Sequence, residues 1–76
     1  MTDKIIEIIS EVLETKVDAN ASQATCEKWD SLRHLNIIVE LEDVFDLSFE
    51  PEEIAVMKDI AIIEQTIQQK KSEKQV

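Results

Sequence analysis

Apolar residues recur every three or four positions along most of this chain. Ile5, Ile6, Ile8, Ile9, Val12 and Leu13 form one wide stripe, which predicts an amphipathic helix over about residues 3 to 15 with these six in the core. Thr2 or Asp3 is placed to cap it. Residues 16 to 29, KVDANASQATCEKW, lose the period and carry the turn formers Asp18, Asn20 and Ser22. They predict a long loop, pinned to the core by Val17 and Trp29. Such a loop in a compact domain is often functional or holds a short helical turn. The helical period returns at Asp30 or Ser31 and lasts to about Phe45. DLSFE, 46 to 50, reads as a connector. Pro51 suits the first position of a short third helix, PEEIAVM, because its missing N–H would be an orphan there anyway. Asp59 caps a fourth helix, 60 to about 70, with Ile60, Ile63 and Ile67 at helical spacing. The last residues, KKSEKQV from 70 to 76, predict a frayed, solvated tail.

Strand-type alternation is absent, and the chain holds no glycine and one proline. The expected class is all-α: a small four-helix bundle with three longer helices and a short third one. At 76 residues the chain forms one domain, 1–76, with a modest core.

The second helix has two apolar faces. Stepping about 100° per residue from Leu32 puts Ile37, Ile38, Leu41 and Phe45 around the opposite pole. That is the core stripe. Leu35 and Val39 return to the side of Leu32, flanked by Asn36, Glu42 and Asp43. This second ridge either packs beneath the loop or the third helix, or stands exposed as a docking strip with an acidic margin.

Charge favours the docking strip. The chain has 17 acids against 8 bases, a net charge of -9. Nucleic acids and anionic membranes are therefore disfavoured as partners, and basic protein surfaces are favoured. From 40 through 53 the acids Glu40, Glu42, Asp43, Asp46, Glu50, Glu52 and Glu53 occur without a base. They gather beside this helix, where they would steer encounter while the apolar strip supplies contact area. They do not fit a calcium loop, whose glycine is missing, so no dedicated metal site is expected. The start of the chain alternates charged and apolar residues and does not read as a signal peptide. No apolar run approaches the length of a membrane span. A single cysteine, Cys26, excludes an internal disulfide and fits a reducing, cytoplasmic setting.

Ser31 is the one residue at this helix start that could carry chemistry. As a helix-initiating residue, either Asp30 or Ser31 serves as N-cap. Ser31 and His34 stand at i and i+3, close enough to touch. A hydrolase would also need an orienting acid, an oxyanion hole and a dry cleft. The sequence has no glycine for a nucleophile elbow, and His34 turns toward the core side. The stronger reading is that another enzyme modifies Ser31. A phosphate there would sit at the positive end of the helix, and Asp30 could help hold a divalent metal in the modifying complex.

The residues WDSLRHLNIIVELEDVFDLSFEPEEI, 29 to 54, resemble the acyl carrier proteins. DSL at 30 to 32 stands at the start of helix two after a long loop. The helix ends LEDVF, and an acidic short helix follows Pro51. NAS at 20 to 22 is also similar to the family's loop, and helix order matches over essentially the whole chain. The resemblance implies that Ser31, beside Asp30, carries 4'-phosphopantetheine through a phosphodiester. A phosphopantetheinyl transferase would install it from coenzyme A. The chain would then be a monomeric, non-catalytic carrier of thioester-linked acyl groups. The bundle interior could shelter the acyl chain. Its partners would be acyl-loading and acyl-transferring enzymes of fatty acid, polyketide or specialised lipid synthesis, bearing basic docking patches. The family's docking positions match Leu32, Leu35 and Val39, with Glu42 and Asp43 further along. Arg33 and Asn36 stand where fatty-acid carriers usually have acids, which implies a dedicated set of partners. Two alternatives remain open. One is a peptidyl carrier, which shares the fold and the modified serine. The other is an unmodified acidic helical adaptor.

Overall fold

A computed structural model describes residues 1–74 and contains four helices: α1 (Thr2–Leu13), α2 (Ser31–Phe45), α3 (Pro51–Val56) and α4 (Ile60–Lys74). The described residues contain no strand; one isolated antiparallel bridge joins Ser22 to Asp59. The architecture is thus a small, mostly helical fold, with α1 packed against α2 and α4.

The core follows the periodicity. Ile5, Ile8, Ile9 and Leu13 of α1 meet Ile37, Ile38 and Leu41 of α2 and Ile60, Ile63 and Ile67 of α4, all buried. Ile6 and Val12, expected in the core, are half-buried at its edge, as is Phe45. A helix stripe this wide cannot bury its outermost positions against only two neighbours. Trp29 is buried and Val17 packs against the core, so both ends of the long loop are fixed as expected. The loop contains turns but no helix. Its middle is tied to the α3–α4 joint, where Gln23 N donates to Lys58 O at 2.7 Å. Phe49 in the connector and Met57 after α3 are also buried, which the period could not announce.

The helix ends show what replaces glycine in this chain. Glu14 and Asp46 follow α1 and α2 and both adopt left-handed geometry, with φ 54 in each case. A residue with a Cβ pays about 1–2 kcal/mol for that conformation. Glu14 stops α1 at Leu13, two residues before the expected end. At the other end, α1 starts at Thr2 with Met1 at the cap position and no side-chain cap. Thr2 is not the cap expected of it, because its hydroxyl donates instead to Glu64 Oε1 on α4, at 2.6 Å. Asp59 does cap α4, accepting from Ile62 N at 2.8 Å.

α4 extends past residue 70, where a solvated tail was expected. It continues as helix to Lys74; residues 75 and 76 lie outside the described residues. Two lysines explain the extension. Lys70 Nζ lies 2.9 Å from Glu53 Oε1 and 5.8 Å from the Phe49 ring centre. Lys71 Nζ lies 5.6 Å from the centre of the Phe45 ring. Both cations sit over aromatic faces whose quadrupole attracts them.

α3 is held differently from the other helices, since none of its side chains is buried. A reciprocal pair of bonds starts it, with Glu50 N donating to Glu53 Oε1 at 2.8 Å and Glu53 N donating to Glu50 O at 3.0 Å. The Glu50 N–H bond holds the Glu53 carboxyl below its usual range, and Lys70 adds to the effect. A carboxyl lowered in this way stabilises the fold above its unfolded value of about 4.3 and loses that contribution as pH falls through the lower native value. Hydrogen-exchange protection of the α3 amides, corrected for intrinsic rates, is therefore expected to drop as pH falls below the ordinary Glu range, before the α1 and α4 core opens. Glu53→Gln should remove the pH step. An α3 protection profile flat through that window would refute the assignment.

Candidate modification site and docking face

Asp30, not Ser31, caps α2. Its backbone is extended at φ -89, ψ -178, and its Oδ1 accepts from Arg33 N at 2.8 Å. Its carbonyl accepts from His34 N, also at 2.8 Å. Ser31 is therefore the first helical residue, exposed, and its hydroxyl has no protein partner among the described residues. The N–H groups of Ser31 and Leu32 have no partner within the helix either, as helix geometry requires. An exposed hydroxyl thus stands at the positive end of a 15-residue helix, with no acid in the first turn.

The ridge beside it is bare. Leu32 is 70% exposed, Leu35 53% and Val39 61%. Neither the long loop nor α3 covers them, so the ridge does not pack beneath either element. Leu41, six residues after Leu35 and on the other face, is 0% exposed. Asn36, Glu40 and Asp43 are exposed along the ridge. Val44 and Val56 are exposed too, but Val44 lies about 120° round the helix from Leu32 and does not extend the strip.

Two residues expected among the docking charges have their charged groups engaged in the fold. Arg33 is half-buried, and its guanidinium donates to Leu13 O at 3.1 Å. It satisfies one of the last carbonyls of α1, where a cation is favoured. Glu42 is also half-buried and accepts from Phe49 N at 2.9 Å, bracing the connector after α2. The free charge of the face is therefore carried by Glu40 and Asp43, two to three turns from Ser31. The serine end of the ridge is apolar and nearly neutral.

His34 does not pair with Ser31. It is 7% exposed, and Trp29 Nε1 donates to its Nδ1 at 2.9 Å. The indole nitrogen can only donate, so the ring proton is on Nε2, which donates to Ile54 O at 2.8 Å. Both nitrogens are occupied, and neither is available to take a proton from the Ser31 hydroxyl. The ring instead links the end of the loop, α2 and α3. Its burial could be read from its place on the core side of α2. The pairing with Trp29 could not, because it joins a loop residue to a helix residue five positions on.

Cys26 is a free, half-buried thiol in the loop. No group of three or more metal-ligating side chains occurs among the described residues. None of the described helices is long and apolar enough to cross a membrane. No family model and no curated protein matches the chain.

Proposed function

We propose that this chain is an acyl carrier protein whose Ser31 accepts 4'-phosphopantetheine. One observation carries the reading: a hydroxyl that the fold leaves unused stands immediately before a ridge of exposed leucine and valine side chains. A transferase must reach both the serine and a surface next to it. The resemblance of residues 29 to 54 to the family supplies the identity of the group.

The residues fit that group. In the transfer, Ser31 Oγ attacks the pantetheine-side phosphorus of coenzyme A. A new O–P bond forms, the P–O bond to the nucleotide breaks, and 3',5'-ADP leaves. The hydroxyl proton passes to a base on the transferase. The phosphodiester then carries one negative charge at the α2 N-terminus, next to the free N–H groups of Ser31 and Leu32. The terminal thiol of the arm holds acyl groups as thioesters. Leu32, Leu35 and Val39 would give the partner enzymes their contact area, and Glu40 and Asp43 would meet basic residues on them. The protein would act as a cytoplasmic monomer without catalysing a step itself.

Intact-mass measurement tests the reading. Incubation with coenzyme A, magnesium and a promiscuous phosphopantetheinyl transferase should add one phosphopantetheine to the protein and none to Ser31→Ala. An unchanged mass in the unsubstituted protein would reject the proposal.

The bare ridge also favours a second reading, an unmodified adaptor that docks a basic partner. The two part company at Ser31. An adaptor keeps its partner after Ser31→Ala and has no use for coenzyme A.

A further inference from the structure

A second surface lies on α1, away from Ser31 and with no residue of α2 in it. After Leu13 the left-handed Glu14 turns the chain back along the helix, and Thr15 N donates to Ser10 O at 3.2 Å. Val17 N then donates to Ser10 Oγ, also at 3.2 Å. These bonds bring Val17 into one groove with Ile6, and both side chains also pack against the core. The groove encloses about 500 Å³, is lined almost wholly by apolar surface, and is open to solvent along most of its length.

Its rim is predominantly acidic. Asp3, Glu7 and Glu11 follow one another at four-residue intervals, so they line one side of α1. Lys16 is the single base in the lining. Glu7 has a surface partner in Lys4 at 3.8 Å, a pairing of little strength at that exposure. Asp3 and Glu11 have no ion pair among the described residues.

We propose that this groove is a docking surface for a basic amphipathic segment of a partner protein, which seats an apolar side chain on Ile6 and Val17 and sets Lys or Arg against Asp3, Glu7 and Glu11. Charge selects this occupant. Nucleic acid and anionic lipid are repelled by the rim. A small apolar molecule needs a site that buries most of its surface, and this groove is too open for that. A peptide can lie along it. Lysine and arginine stems add apolar contact while their heads reach the acids. The three acids span about 12 Å of helix, which matches roughly two helical turns of the occupant.

The probe is a labelled helical peptide of about three turns, with one leucine face and one lysine face. A control peptide has serine in place of each leucine. Titration into the ¹⁵N-labelled, unmodified protein should move amides between residues 3 and 17 most. Affinity should fall with added salt. Glu7→Lys combined with Glu11→Lys should weaken binding about tenfold. Ser31→Ala should leave it unchanged, which separates this surface from the carrier reading. The inference fails if the peptide does not bind or if the serine control binds equally well. It also fails if the largest shifts fall on Leu32 to Asp43.

Discussion

Leu41→Asp is expected to leave the chain unfolded at room temperature, whereas Leu35→Asp, on the same helix, should melt within a few degrees of the unsubstituted protein. A fold of 76 residues has a stability of about 4–11 kcal/mol at the usual value per residue. Leu41 is 0% exposed in the middle of the cluster formed by α1, α2 and α4. Replacing it removes about 2–3 kcal/mol of apolar transfer and puts a carboxylate where no partner can reach it. That second cost is several kcal/mol, or else the group protonates at an equivalent cost. Leu35 is 53% exposed, and its replacement adds an acid to a face that water already reaches. Circular dichroism melts of the two variants make the comparison. If Leu35→Asp melts as low as Leu41→Asp, the ridge is part of the core. With folding intact, Leu35→Asp should also slow phosphopantetheine transfer to Ser31, because the ridge is the proposed contact for the transferase.

His34→Ala is expected to cost about 3 kcal/mol, a large share of the stability of so small a domain. The substitution leaves the Trp29 indole N–H buried without an acceptor and opens a void beside it. It also releases Ile54 O, and with it the link between α2 and α3. Urea midpoints at constant m-value measure the loss. In the double variant with Trp29→Phe the two effects should sum to more than the combined loss, because the unpaired indole donor is then gone. The result that would contradict this picture is a His34→Ala protein of unchanged stability that has lost an ester-hydrolysing activity. His34 would then act on Ser31, which its two hydrogen bonds oppose.

The two-faced character of α2 was legible because both faces follow one period. Leu32, Leu35 and Val39 are bare, and Ile37, Ile38 and Leu41 are buried, as the wheel places them. The Ser31 position was equally legible, since capping chemistry marks a helix start to within a residue. Arg33 and Glu42 were harder. A helical wheel places a Cα, and these long side chains carry their charges away from it, to Leu13 O and Phe49 N. Helix ends also escaped the pattern. Without glycine nothing marks Glu14 as a left-handed stop, and the Thr2 hydroxyl is occupied by a residue 62 positions away. The run of polar residues after Ile67 resembles a tail until Lys70 and Lys71 meet Phe49 and Phe45. Contacts of that kind depend on the tertiary fold.

Trp29 is the only tryptophan, and the chain has no tyrosine. Its near-ultraviolet emission therefore comes from a single indole, held in a nearly water-free site and stacked on an imidazole at 6.1 Å between ring centres. That indole sits where the loop, α2 and α3 meet. Light emitted by this protein consequently reports on one junction rather than on an average over the chain. A red shift on adding a partner or loading an acyl group would show that the junction has loosened, without any label attached.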